Sequence, residues 1–143
     1  MLEYSGVAAA TPNEPEVEAA LGVRIGNDWS RLCSAGEQVM SLMKLQSLVI
    51  TRGRDGMAAF AGKHKPVDIP IFGSDQVADV TGAGDTVIAT FAAAFAAGAS
   101  TEEAAHLANY AGGIVVMKRG TATASRQELL EALEQSPPAT RAH

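Results

Sequence analysis

From Val7 to Gln135 the apolar positions follow two rhythms, short continuous runs and longer stretches with a helical period, and their order sets the expected elements. Val7-Ala8-Ala9-Ala10 is a short apolar run stopped by Thr11-Pro12-Asn13, which predicts a strand. Pro15 to Leu21 follows as a helix ended by Gly22. From Asp28, apolar residues recur at Trp29, Leu32, Cys33, Val39, Met40 and Met43, a spacing that turns one helix face to the core, with Asp28 as the N-cap. Ser47 to Thr51, Met57 to Ala61 and Val67 to Phe72 are β-type runs, with Arg52 to Gly56 a turn between the first two, so antiparallel hairpins are expected.

The second half is helical. The small residues at 82–84 open a helix through Ala97, and Ser100-Thr101-Glu102-Glu103 has the capping-box spacing for another that ends near Gly120, the two forming a helical hairpin. Ser125-Arg126-Gln127-Glu128 repeats that spacing before a last short helix, which Pro137-Pro138 ends. Residues 1–135 are expected to form one portion of a domain and 136–143 a disordered tail. Strands alternating with helices predict an α/β fold, an open sheet flanked by helices.

Composition narrows the function without naming it. The 143 residues suffice for one domain with a core, and apolar residues at 47% are ordinary, although many are alanine. A formal charge of −5 gives no general basic field, which argues against nucleic-acid partners and anionic lipid; any phosphate site must be local. Cys33 is the single cysteine, so no internal disulfide or cysteine-cluster metal site is expected, and its place in an apolar stripe predicts a core residue. No apolar stretch reaches the roughly 20 residues of a membrane span. A cytoplasmic location follows as the expectation. His64, His106 and His143 have no ligand spacing, which argues against zinc and histidine catalysis.

The chemistry concentrates in Asp79-Val80-Thr81-Gly82-Ala83-Gly84-Asp85-Thr86. Gly82, Ala83 and Gly84 let backbone approach a ligand closely where a helix begins with unpaired N–H groups. The helix dipole adds about half a positive charge there, which favours a phosphoryl group gaining negative charge. A carboxylate at Asp85, in the first turn, is positioned to accept a proton from an attacking hydroxyl. Taken alone, the same residues are also a tight loop with an acidic first-turn residue. Neither the Walker pattern G-x-x-x-x-G-K-S/T nor G-x-G-x-x-G is present after Gly82.

The longer segment from Asp79 through Val87-Ile88-Ala89 resembles the C-terminal signature of the ribokinase (PfkB) family of carbohydrate kinases. The resemblance implies a ribokinase-like α/β fold, of which this chain matches only the C-terminal, nucleotide-binding half. It also implies an anion hole at Gly82, Ala83 and Gly84 and a catalytic base at Asp85. Thr11-Pro12-Asn13-Glu14-Pro15-Glu16 resembles the family's N-x-x-E element, in which Asn13 and Glu16 organise Mg²⁺ and phosphate, largely through water. Asn13 as a helix N-cap and Glu16 as a first-turn acid explain the same residues, and the two readings are compatible.

Thr51-Arg52-Gly53-Arg54-Asp55-Gly56 resembles the family's T-x-G-x-x-G nucleotide loop, which implies that Thr51 and Gly53 face the ATP phosphates and that Gly56 belongs to the nucleotide-binding set; as ordinary hairpin-turn chemistry it needs no ligand. Arg52 and Arg54 either add local positive charge or are solvated. Asn109 and the turn Lys118-Arg119-Gly120-Thr121 resemble the parts bordering adenine, although Asn109 is equally readable as a plain helix residue. Asp79 and Thr81 would join a monovalent cation site for K⁺, but the serine usual in that site falls on Ala124, which weighs against it.

Within the family, Asp79 to Ala89 and Gly120-Thr121-Ala122-Thr123-Ala124-Ser125 look most like heptose-7-phosphate kinases, which phosphorylate the anomeric hydroxyl of a sugar phosphate, sometimes fused to an adenylyltransferase. The expected partners are therefore ATP and a sugar or sugar phosphate. The half of the family fold that supplies most sugar contacts and a β-sheet lid, often the dimer interface, lies outside the matched part, so a homodimer of the complete enzyme stays open. A second reading is a nucleotide-binding module or inactive fragment that needs that other half.

Overall fold

The computed structural model describes residues 2, 6–73, 83–118 and 122–143. Its centre is a four-stranded sheet in the order β1 (Ala9–Ala10), β2 (Ser47–Thr51), β3 (Met57–Ala61), β4 (Val67–Ile69). β1 runs parallel to β2, and β2, β3 and β4 are successively antiparallel, in agreement with the expected hairpins.

Strand periodicity of two sends alternate residues to opposite faces, and both faces here are covered. Leu48, Ile50, Ala58 and Phe60 pack with Val17 of α1 (Glu14–Leu21) and with Leu32, Ala35, Val39 and Met43 of α2 (Trp29–Met43). Val49, Met57, Ala59 and Ile69 point the other way, onto Val87 and Phe91 of α3 (Ala83–Ala96) and Ala104, Ala105 and Ala108 of α4 (Thr101–Met117). The α/β expectation is met. Helices α3 and α4 form the expected hairpin, and α5 (Arg126–Gln135) closes a third small core of Tyr110, Ile114 and Ala132. No helix among the described residues is long and apolar enough to cross a membrane.

Helix starts follow local chemistry. Asp28 accepts from the Arg31 N–H at 3.1 Å, and Ser100–Glu103 and Ser125–Glu128 form reciprocal capping boxes. Cys33 is half-buried rather than part of the core, because it sits at the margin of the α2 face that meets the sheet; burial still pushes its thiol pKa up, with Glu37 adding to the shift.

Two boundaries differ from expectation. β4 stops at Ile69 instead of running to Phe72, because Pro70 has no N–H for a ladder. The segment beyond it bonds instead to α4: Asn109 Nδ2 donates to the Pro70 carbonyl at 2.8 Å, and the Phe72 N–H donates to Asn109 Oδ1 at 3.2 Å. Helix α4 ends at Met117, short of Gly120. Residues 136–143, expected as a disordered tail, are exposed, and Ser136, Arg141 and His143 among them touch the body. The Tyr110 hydroxyl donates to the Ser136 carbonyl, the Arg141 N–H donates to the Asp68 carbonyl at 2.8 Å, and His143 stacks on Trp29 with ring centroids 4.3 Å apart.

Candidate active site

The N-x-x-E element folds as a capping box. Asn13 Oδ1 accepts from the Glu16 N–H at 2.8 Å, and the Asn13 N–H donates to Glu16 Oε2 at 2.8 Å. Both residues are exposed at the start of α1. Helix capping and a water-mediated role for Mg²⁺ are compatible here, since the cap leaves Glu16 Oε1 unused and Asn13 Oδ1 has a second lone pair. No group of three or more His, Cys, Asp or Glu among the described residues is arranged to hold a metal directly. Two oxygen-bearing side chains at a solvent-facing helix start suit a Mg²⁺ that keeps its waters and binds phosphate, rather than an all-protein cage.

This helix start lies beside the T-x-G-x-x-G turn. Asn13 pairs with Thr51 as a parallel bridge, and the Thr51 N–H donates to the Pro12 carbonyl at 3.0 Å. Gly53 to Asp55 make one 3₁₀ turn closed by the Arg52 N–H to the Gly56 carbonyl at 2.8 Å. Gly56 has φ +87°, and a Cβ there would lie 2.1 Å from the Ile69 carbonyl oxygen and 2.7 Å from the Ile71 nitrogen. Gly56 therefore shapes the turn from beneath and is buried, whereas Gly53 is exposed and has open space beside it.

Arg52 and Arg54 have different fates. Arg54 is exposed. Arg52 is only 9% exposed: its Nε donates to Glu14 Oε2 at 3.1 Å, and its Nη1 lies 3.9 Å from Asp68 Oδ1. The sequence is compatible with either local positive charge or a solvated side chain at Arg52. No local signal announces this: parity in Val67-Asp68-Ile69 puts Asp68 on the face opposite Val67 and Ile69, and only the folded chain buries it there beside Arg52.

Ala83, Gly84 and Asp85 make the first turn of α3, with Ala83 half-buried and Gly84 and Asp85 exposed. Asp79, Thr81 and Gly82 lie outside the described residues, as do Arg119, Gly120 and Thr121. One turn beyond Asp85, Ile88 lines an open cleft of ≈ 700 Å³ whose other walls include Ala10, Thr11, Pro12 and Glu16. The cleft thus joins the N-x-x-E helix start to the α3 side of the sheet.

Asn109 does not offer its amide to solvent. It is buried, with carbonyl and amide both bonded to residues 70 and 72 as described above. In the fold it holds that segment in place. Lys118, the C-cap of α4, donates from Nζ to the Thr123 carbonyl at 2.6 Å and pairs with Glu128 Oε1 at 2.7 Å. Ala124, at the position of the usual cation-site serine, packs beside the small core of Tyr110 and Ile114.

A family model described as pfkB family carbohydrate kinase matches residues 2–128. The bifunctional protein HldE of Geobacter sulfurreducens is 44% identical over 131 residues, covering 92% of this chain, and its counterpart in Geobacter metallireducens is 46% identical over 128 residues, covering 90%. This chain spans 26% of the length of each of these curated relatives. The structure of Arabidopsis thaliana ribokinase complexed with ribose and ATP superposes with a TM-score of 0.80 at 30% identity, covering 91% of this chain and 42% of that one. Phosphofructokinase-2 of Escherichia coli shares the fold with a TM-score of 0.81 at 18% identity, over 94% of this chain and 42% of that one. The fold is therefore ribokinase-like, and the chain belongs to the pfkB family of carbohydrate kinases.

Proposed function

We propose that this chain is the phosphoryl-transfer half of an ATP-dependent sugar kinase, with heptose 7-phosphate as acceptor at its anomeric hydroxyl. The observation that carries this reading is the pairing of Asn13 with Thr51, which puts the N-x-x-E helix start against the T-x-G-x-x-G turn. The cleft linking Glu16 to Ile88, one turn beyond Asp85, supports it further. Mg²⁺·ATP supplies the transferable phosphoryl group and neutralises its charge when bound. The chain's residues then divide the work. Thr51 and Gly53 face the nucleotide phosphates, Gly56 shapes the turn, and Asn13 and Glu16 order water around the metal. Gly82, Ala83 and Gly84 offer backbone N–H groups to the transferring phosphoryl, where the helix dipole favours negative charge. Asp85 takes the proton of the acceptor hydroxyl as its oxygen bonds to phosphorus and the bond to the departing ADP breaks.

The heptose assignment rests on the likeness to heptose-7-phosphate kinases around Asp79 to Ala89 and on the HldE relatives. A cytoplasmic setting fits a reaction that consumes ATP. Asp79 and Thr81 are retained as candidates for a monovalent cation site, with Ala124 the departure that weighs against K⁺. Because this chain spans a quarter of those relatives, the second reading is a nucleotide-binding module that transfers phosphate only with a sugar-binding half. Calorimetry with ATP and Mg²⁺ on this chain, beside a kinase assay over sugars and sugar phosphates, separates the two. Binding with transfer to heptose 7-phosphate supports the first; binding without transfer supports the second; absence of nucleotide binding overturns both.

A further inference from the structure

Arg52 occupies the second position of the T-x-G-x-x-G turn, where a cation meant for phosphate would reach outward. Its guanidinium instead turns inward. Nε donates to Glu14 Oε2 at 3.1 Å, Nη1 lies 3.9 Å from Asp68 Oδ1, and the side chain is 9% exposed, against 20% for Glu14 and 1% for Asp68. Glu14 immediately follows Asn13 and is the first residue of α1, so it moves with the N-x-x-E element. Arg52 immediately follows Thr51 and belongs to the nucleotide turn. Asp68 anchors the pair to β4, and Arg141 braces the far side of the turn by donating from Nη1 to the Asp55 carbonyl at 3.1 Å.

We propose that Arg52 is a positioning residue that locks the N-x-x-E helix start and the T-x-G-x-x-G turn into one unit, so that Mg²⁺ and ATP are bound cooperatively. The inference rests on the nucleotide-binding reading above. Among the described residues, the backbone links between these two ligand-facing elements are those of Pro12 and Asn13 with Thr51. A fork-shaped cation that joins both elements, in a site shielded from water, resists their separation far better than a solvated pair would. If metal and phosphate are presented by different elements, their mutual spacing is what makes occupancy of one site help the other. Arg52 touches neither ligand, and its inward geometry excludes it as a direct phosphate contact.

The test is calorimetric titration of this chain with ATP in excess Mg²⁺ and with ATP in EDTA, the ratio of the two affinities measuring the coupling. Arg52→Met keeps the aliphatic stem and removes the fork; Arg52→Lys keeps the charge but cannot span both carboxylates. Arg52→Met is expected to reduce the ratio by about fivefold or more, the lower end of ordinary site-to-site coupling, while affinity for ATP in EDTA changes by less than about twofold. Arg52→Lys is expected to recover only part of the ratio. Glu14→Ala should lower it as well, without a further loss in the double variant, and it carries the same prediction if Arg52→Met does not fold. A variant that melts earlier yet keeps the wild-type ratio overturns the proposal and leaves Arg52 a stabilising ion-pair residue. A wild-type chain that binds no ATP under either condition overturns the nucleotide-binding reading itself, and the proposal with it.

Discussion

Asn13 and Thr51, 38 positions apart, sit side by side as a parallel bridge at the end of the sheet where β1 gives way to α1. The pairing makes the conformation of the 51–56 turn a condition for the whole candidate site. Gly56 is its most constrained member, because a Cβ would meet the backbone of Ile69 and Ile71 rather than a side chain that could yield. Gly56→Ala, at φ +87° and ψ −127°, is expected to cost about 1–3 kcal/mol from the strained backbone alone. A lowered thermal midpoint together with weakened ATP binding checks it; an unchanged midpoint refutes it.

Asp85 stands exposed in the first turn of α3, where an acceptor hydroxyl can reach it. Asp85→Asn preserves shape and removes the proposed proton acceptor. In the complete enzyme, turnover is expected to fall by about 10²–10⁴-fold with little change in ATP affinity. Near-normal turnover in a steady-state kinase assay would show that the base lies elsewhere.

Asn109 holds residues 70 and 72 with both ends of its amide. Asn109→Leu leaves the Pro70 carbonyl and the Phe72 N–H without those partners, an expected loss of about 1–3 kcal/mol for each group that stays dry. Chemical denaturation measures the loss. Because the amide is committed to backbone, preference for ATP over GTP should not change; a reversed preference would mean that Asn109 reads the base directly.

Gly36, in the middle of α2, lies under the ring of Phe60, and a Cβ there would come within 2.3 Å of Phe60 Cζ. Helix propensity favours Gly36→Ala by about 1 kcal/mol, but overpacking a filled core typically costs about 1–3 kcal/mol. Phe60 is buried and cannot swing clear, so the clash should prevail and the thermal midpoint should drop. Adding Phe60→Leu is expected to restore part of the loss. A Gly36→Ala variant more stable than wild type would contradict this packing.

Glu128 has its carboxyl pKa held down at about 2, against an ordinary 4.5, first by the hydrogen bond from Lys118 and then by the Ser125 N–H and hydroxyl. A depressed carboxylate pKa stabilises the folded state above the ordinary value, and that contribution is lost as pH falls from 4.5 towards 2. Lys118→Met should raise the Glu128 pKa while the Ser125 cap keeps it below the ordinary value. The stability difference between variant and wild type should shrink across the same acid window. Carboxyl-carbon NMR titration of Glu128 follows the first effect and acid denaturation the second; an unmoved Glu128 titration would exclude the Lys118 contact.

What the sequence determined by itself was local. Asn13, Asp28, Ser100 and Ser125 announced helix starts because a cap closes over three residues, and each accepts from the N–H three positions on. The continuous apolar runs at 47–51 and 57–61 announced strands, but with both faces buried they could not say which parity meets which helix layer. Asp85 could be put in a helix's first turn because a helix start is likewise local. Tertiary structure decided the rest. Arg52 meets Glu14 across 38 positions, Asn109 meets Pro70 across 39, and Asp68 meets His143 across 75. Each such contact exists because sheet pairing and helix docking bring remote segments together, and no local rule encodes which segment arrives. The N-x-x-E and T-x-G-x-x-G elements could therefore be read separately along the chain, but their union at Asn13 and Thr51, and the burial that turns Arg52 from a free cation into a strut, follow from packing alone.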